Sequence, residues 1–423
     1  MRRFASFFIV CMVIIPLLMG CFDANELEDF VFVAMIGIDK GVTDTWRLTF
    51  LLPSLSEGAK NGGGGEGNLA SNTYTTFTIE APTFFEGVSL ANISISKDIS
   101  FIHANTIVFS EDLAKSGLVG EFITPLIRNR EIRRTEYVVV SKGSAKDFVE
   151  AAGSNIESTV SKQFEILMDA SKNTGFFPKT TLNDMYNAIK SSYRQPIAIY
   201  GAINSGENLK DSRTQQQNDS NPSRSYYAGD LPREGGNKIE LMGSVVADGD
   251  TMVGLLTGQE TRIALLARGE LEKGTFSIQD PEKPDLIVPV EIRLARKPQI
   301  KVETQDNKPV IDVKIKLEGD ILAIQSRINY ENPKLAPLLE KAVEKHIKAE
   351  LDETIKKCQE LRADVFNFGY AGIMKFGTIQ EWEAYQWNKQ FENAEVTTAI
   401  EFRIRRTGIL LDSSPIISTE GEE

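Results

Sequence analysis

Between residues 310 and 317 apolar and polar side chains alternate. Ile311, Val313, Ile315 and Leu317 are set against Asp312, Lys314 and Lys316. A period of two predicts a strand with one buried and one wet face. Farther on the period changes. Leu335, Leu338, Leu339, Val343, Ile347, Leu351, Ile355, Cys358 and Leu361 recur every three or four positions. That is one apolar stripe on a helix opened by Asn332-Pro333 and ending near Arg362. About 28 residues at 1.5 Å each make a rod of roughly 40 Å. Further strands are expected at about 285–296, 298–304 and 320–328, with a last alternating strand at 395–406. A shorter helix is expected at 379–391, carrying Trp382, Tyr385 and Trp387. An antiparallel sheet packed on the long helix is the simplest arrangement.

The first half mixes the two periods. Val31 to Lys40 reads as a buried strand, Asp39-Lys40-Gly41 as a turn, and Trp46 to Leu52 as the returning arm of a hairpin. Tyr74–Glu80, Ile99–Phe109 and Glu136–Ser141 are further strands. Helices are expected at Pro82–Ile95, at Asp112–Arg128 with interruptions at Gly117 and Pro125, and over most of 145–190. Residues 206–238 hold little to bury and include Gln215-Gln216-Gln217-Asn218. Beyond them, Asp248-Gly249 between two apolar runs predicts a hairpin. Thr257-Gly258-Gln259-Glu260 fits a helix capping box, and Gly269 a C-terminal stop. The fold class is α+β: mixed sheets flanked by helices, with a C-terminal antiparallel sheet packed on one long helix. The expected division is 1–20 signal peptide, 21–205 N-terminal α/β domain and 206–238 linker or exposed loop. A small middle domain of hairpin plus helix follows at 239–296, then a C-terminal domain at 297–415 with the long helix at 333–362, and a tail at 416–423.

The start of the chain predicts where it resides. Arg2 and Arg3 precede the apolar run Phe7 to Leu18, and Met19-Gly20-Cys21 follows. A charged start, a short apolar core and small residues before a cut site mark a secretory signal. Leu18-Met19-Gly20-Cys21 also resembles a bacterial lipobox, in which the cysteine becomes the lipidated first residue of the mature chain. Cys21 is therefore expected to carry a diacylglyceryl thioether and an N-acyl group. An ordinary secretory signal is the alternative. Two acyl chains give stable attachment without a membrane span.

Composition narrows the function further. The 423 residues carry a formal net charge of −12. Nucleic-acid binding needs clustered positive charge, so that class is disfavoured. The two histidines, His103 and His346, and the three cysteines, Cys11, Cys21 and Cys358, do not form a zinc pattern. Once the signal is removed and Cys21 is lipidated, only Cys358 is free, so no disulfide forms within one chain. No cofactor or metal is expected.

Several segments resemble the Ger(x)C family of spore germination lipoproteins. Cys21-Phe22-Asp23-Ala24-Asn25-Glu26 matches the family's opening Cys-Trp-Asp-x-x-Glu, with Phe22 replacing the tryptophan, and Ile36-Gly37-Ile38-Asp39 matches its first strand. His103 to Ala114 resembles the family's His-containing strand and helix. Leu241 to Ala267 resembles its hairpin and Gly-x-Glu-Thr helix, and Arg405-Arg406-Thr407-Gly408 its end. The resemblance covers nearly the whole mature chain and rests on the order of these motifs. It implies a non-catalytic, lipid-anchored C subunit of a nutrient germinant receptor. Such a subunit lies on the outer face of the cell membrane, and of the inner membrane in the spore. It assembles with an A subunit and a membrane-spanning B subunit. The resemblance does not say whether the nutrient touches this subunit.

Two other classes fit the sequence less well. A solute-binding lipoprotein of an uptake system needs two lobes of repeated βαβ units, and no second set is visible after residue 240. A lipid-anchored hydrolase would have to use His103 or a carboxylate pair. His103 reads as structural, His346 as a flank of the long helix, Asp248 and Asp250 as turn residues, and Gly62–Gly65 as a linker. Arg128, Arg130, Arg133 and Arg134 form the one dense basic cluster, read either as a solvated turn or as a contact for a partner or for lipid headgroups. Of Trp382 and Trp387, five apart, one is expected in the core.

Overall fold

The structure, a computed structural model, describes residues 26–54, 74–154, 160–206 and 225–406. After a 3-10 turn at Leu27–Asp29, β1 (Phe30–Phe32) leads into β2 (Met35–Lys40) and β3 (Trp46–Pro53). Next come β4 (Tyr74–Ala81), α1 (Phe84–Ser94), β5 (Asp98–Ser100) and β6 (Thr106–Ser110). Helices α2 (Glu111–Lys115) and α3 (Val119–Arg128) precede β7 (Tyr137–Ser141). Then α4 (Ala145–Gly153), α5 (Val160–Thr174) and α6 (Leu182–Ile189) precede β8 (Ile197–Ile203). The strands β9 (Ile239–Asp248) and β10 (Thr251–Leu256) form the expected hairpin, followed by α7 (Gly258–Arg268).

Eight of these strands make one sheet in the order β10-β9-β8-β7-β6-β2-β3-β4. Its centre, β2, β6, β7 and β8, is parallel. Parallel neighbours need crossovers, which the helices supply, and both faces of such strands are buried. That explains the unbroken run Val138-Val139-Val140. One face packs on Phe84 of α1, on Phe122 and Leu126 of α3, and on Leu182 of α6. The other packs on Phe148 and Val149 of α4 and on Phe164 and Met168 of α5. The two-strand ribbon β1–β5 sits before the starts of β2 and β6.

The structure departs from expectation at four places. The 99–109 run is two strands, because a turn at 101–105 interrupts it, closed by the Ala104 N–H on the Phe101 carbonyl at 2.9 Å. Gly117, at φ 71°, separates α2 from α3, but Pro125 lies within α3. There the buried stripe Phe122, Ile123 and Leu126 holds the helix across the missing N–H. The described part of 206–238 is not a free linker. Ala228 is fully buried and donates its N–H to the Met242 carbonyl at 3.1 Å. Glu240 on β9 collects Gly229 N–H at 2.9 Å, Asn204 Nδ2 at 2.7 Å and Arg233 Nε at 3.1 Å. The β9–β10 hairpin, placed by sequence in a middle unit, is hydrogen-bonded to β8 as the far edge of this sheet.

The second sheet contains β11 (Lys273–Gln279), β12 (Ile287–Leu294), β13 (Gln299–Gln305), β14 (Lys308–Ile321) and β15 (Glu395–Arg406). The long β14 gives one edge to β13 and then β12, both antiparallel, and the other edge to β15. The β14–β15 pair is parallel, because a long helical crossover joins the two. That crossover is α8 (Ala336–Glu360), α9 (Phe368–Ile373), α10 (Ile379–Tyr385) and α11 (Trp387–Phe391). Leu339, Val343, Ile347, Leu351, Ile355 and Cys358 of α8 are buried against the sheet, as the stripe predicts. Residues 322–328 are a turn, not a strand.

Candidate functional site

The arginine cluster is held on a fixed loop. Arg128 stands in the last turn of α3, and the loop to β7 carries Arg130, Arg133 and Arg134. Asn129 Oδ1 accepts the Glu131 N–H at 2.8 Å, and Glu131 Oε2 accepts the Phe101 N–H at 2.8 Å. Ile132 is buried beneath. The first residues of α6 hold the other end, Asn183 N–H on the Arg134 carbonyl at 2.9 Å and Leu182 N–H on that of Glu136 at 2.7 Å. All four arginines are exposed. Among the described residues none reaches a carboxylate at ion-pair distance, whereas Arg47, Arg233 and Arg293 each do. The loop thus presents positive charge outward.

Beneath the arginines lies a group that sequence reasoning missed. Glu136 is 1% exposed. Its Oε1 accepts the Arg133 N–H at 2.9 Å, and its Oε2 has no hydrogen-bond partner among the described residues. Burial pushes its carboxyl up to about 8, with the Arg133 N–H and charge opposing. A lone glutamate before an apolar strand carries no pattern that would reveal this.

Two concavities are relevant. A groove of about 520 Å³ between α1 and α3 is lined by Trp46, Pro82, Phe84, Phe85 and Phe122, with Arg128 at one side. A more polar one of about 340 Å³, lined by Lys179, Arg194, Gln195 and Arg268, lies between the first half of the chain and the end of α7.

The motif residues prove architectural. Gly37 lets α4 close on β2, since a Cβ there would meet Val149 Cγ2 at 3.0 Å. Asp39 accepts the first N–H groups of α4, Ala145 at 2.8 Å and Lys146 at 2.9 Å. In the Gly-x-Glu-Thr helix, Thr257 and Glu260 form the expected capping box. Glu260 also pairs with Lys357 of α8 at 2.7 Å, and Thr261 bonds Ser244 of β9 at 2.9 Å. Arg262, unremarked in the sequence, is buried between the rings of Phe176 and Phe276, 4.3 Å from each. Helix α7 therefore joins the first sheet to the second.

The remaining candidates are scattered. His103 stands exposed in the 101–105 turn, edge-on to Phe32 at 4.7 Å. His346 faces Glu350 at 3.4 Å. Asp248 accepts from Asn388 Nδ2 at 3.1 Å, and Asp250 fills the hairpin turn against Gly120. Both tryptophans, not one, are in the core. Gln386, at φ 52°, breaks the helix between them and lets the rings stack 5.3 Å apart. Trp387 Nε1 donates to the fully buried Asp364 at 3.0 Å. Among the described residues no His, Cys, Asp and Glu group is placed to hold a metal, and no helix is long and apolar enough to cross a membrane. Cys21 and the Gly62–Gly65 stretch lie outside the described residues.

Comparison with known proteins matches both halves. A family model described as "Spore germination protein N-terminal domain" matches residues 23–203, and "Spore germination B3/ GerAC like, C-terminal" matches 242–408. Spore germination protein KC of Bacillus subtilis (strain 168) is 24% identical over 417 residues, covering 96% of this chain and 95% of that one. Spore germination protein B3 of the same organism is 23% identical over 409 residues, covering 96% and 98%. The crystal structure of the GerBC protein is similar in fold, with a TM-score of 0.52 at 16% identity, over 87% of this chain and 96% of that one.

Proposed function

Since the chain belongs to the GerAC-like family of spore germination proteins, we propose that it is a non-catalytic, lipid-anchored subunit of a germinant receptor. The observation that carries this reading is the ordered match of both family domains directly behind the lipobox cysteine. Relatives named as spore germination proteins across nearly their full length support a role in germination.

The anchor is Cys21. No helix among the described residues is long and apolar enough to cross a bilayer, and the acyl chains on Cys21 suffice for stable attachment. The chain then sits on the outer face of the membrane, in the spore on the inner membrane. There it works through contact with A and membrane-spanning B subunits. A subunit held to the membrane by lipid alone does not itself form a conduit. Its role is to stabilise those subunits or to receive their conformational change. The buried Arg262 and the half-buried Glu260 fit such a role, because they tie the two sheets into one body that transmits displacement.

The test is deletion of the gene, with dipicolinate release from spores followed against amino acids, sugars and nucleosides. Loss of response to a subset, restored by the wild-type gene, is the expected result. An unchanged response in a strain lacking every paralogue of this subunit contradicts the reading.

A further inference from the structure

We propose that the end of the main sheet at which β1 begins rests on the outer leaflet of the bilayer. Arg130, Arg133 and Arg134 lie on anionic phospholipid headgroups there, and Ile93 and Ile102 meet the headgroup boundary. This rests on the lipid-anchor reading and adds an orientation to it.

The parallel register aligns the starts of β2, β6 and β7: Met35 pairs with Thr106, and Thr106 with Tyr137. The segments entering those starts are therefore neighbours. They are β1, the turn 101–105 and the arginine loop 129–136. Hydrogen bonds tie them together. Val33 N–H reaches the Ser100 carbonyl at 2.9 Å, Phe101 N–H reaches Glu131, and Tyr137 N–H reaches the Asn105 carbonyl at 2.8 Å. Helix α1 ends at the same place, where Asn92 Oδ1 accepts the Ile99 N–H at 3.2 Å.

Two isoleucines are exposed there, Ile93 at 81% and Ile102 at 38%. Isolated exposed apolar side chains are ordinary. Here they adjoin three arginines unpaired by any described carboxylate and the segment that leads to the lipid. Cys21 precedes Phe30 by nine residues, which reach at most about 30 Å when extended. The segment from the anchor thus enters the fold at this end and is closer to it than to the opposite one. The exposed acids Glu26, Glu28, Asp29 and Asp98 lie on the leader and the ribbon. Attraction to anionic lipid must therefore come from the arginine side. Each arginine near an anionic surface contributes about fivefold in partitioning.

The lipidated full-length protein would be reconstituted into vesicles of phosphatidylcholine, alone or with phosphatidylglycerol. One fluorophore would be placed at I93C, I102C or V42C, because Cys358 is buried and Cys21 is blocked by lipid. Val42 is 79% exposed in the turn at the other end of β2. Spin-labelled lipids serve as the quencher. We expect several-fold stronger quenching at 93 and 102 than at 42 in anionic vesicles. R130E/R133E/R134E should abolish it with the protein still floating with the vesicles, and R130K/R133K/R134K should keep it. Equal quenching at all three sites on floating protein overturns the docking and leaves the anchor standing, as it would if this end met a partner protein instead. Quenching indifferent to phosphatidylglycerol and to charge reversal overturns the headgroup contact. Failure of the wild-type protein to float overturns anchor and docking together.

Discussion

Replacing Arg262 by alanine tests whether α7 pins the two sheets together. The guanidinium lies 4.3 Å from the ring centres of Phe176, from the first half of the chain, and Phe276 on β11. Its Nε donates to the Thr174 carbonyl at 2.8 Å. Two glycines shape the slot, since a Cβ on Gly175 or Gly274 would stand 3.1 Å from the arginine side chain. Burial draws its pKa down to about 10, so the group is still charged at neutral pH. Two desolvated ring contacts and one charged hydrogen bond contribute about 4–7 kcal/mol together. Removing a buried charge returns several kcal/mol of desolvation, while the cavity left costs about 2–3 kcal/mol. The net is a loss of about 3–5 kcal/mol for R262A. R262K should lose about half as much, because an ammonium cannot stack flat between two rings. Urea unfolding followed by tryptophan fluorescence gives the stability, and limited proteolysis reports whether the halves separate. R262A within about 0.5 kcal/mol of wild type, or R262K equal to wild type, refutes the pin.

Three further outcomes follow from other sites. Glu136 has a folded pKa of about 8 against an ordinary 4.5, so the stability it contributes is complete below about pH 4.5 and is lost as pH rises through 8. The stability of wild type relative to E136Q should therefore fall between pH 5 and 9, by on the order of 4 kcal/mol at most, and a difference that stays flat in urea titrations contradicts the buried assignment. Trp387→Phe removes one of the donors that hold Asp364 and should cost about 1–3 kcal/mol by thermal unfolding, with no change expected if that bond is absent. Gly243→Ala places a Cβ 2.4 Å from the Leu256 carbonyl at a φ of 85°. It should cost at least about 2 kcal/mol, and a neutral substitution would contradict the left-handed bend at Gly243, where the β8–β9 register shifts.

What the sequence made legible was local. The β2–β3 hairpin, the Thr257 capping box, the Gly269 stop, the alternation in β14 and the α8 stripe are each set by neighbouring residues, and each is found. What it did not show depends on distant partners. Nothing in β15 says that it will lie parallel to β14, and nothing in 239–256 says that it will extend the first sheet. β11 lies outside the expected strands because Gly274 takes one of its buried positions, leaving Phe276 and Ile278 as its only apolar side chains. The two tryptophans misled because helical spacing was assumed across Gln386, a non-glycine residue in the left-handed region. The arginine cluster was visible from charge alone, but its neighbourhood with β1 and Ile102 comes only from the parallel register. Gly37 and Asp39 belong to a motif that matches the family's first strand, and the structure gives them packing and capping duties.

We propose that this chain serves germination from the membrane surface through the lipid on Cys21. The most direct measurement replaces the gene with a Cys21→Ala allele at its native locus and follows both the protein and dipicolinate release in purified spores. The account predicts that the protein leaves the membrane fraction and that the nutrient response lost on deletion is not restored. A full response from spores in which the protein is detached from the membrane would contradict it.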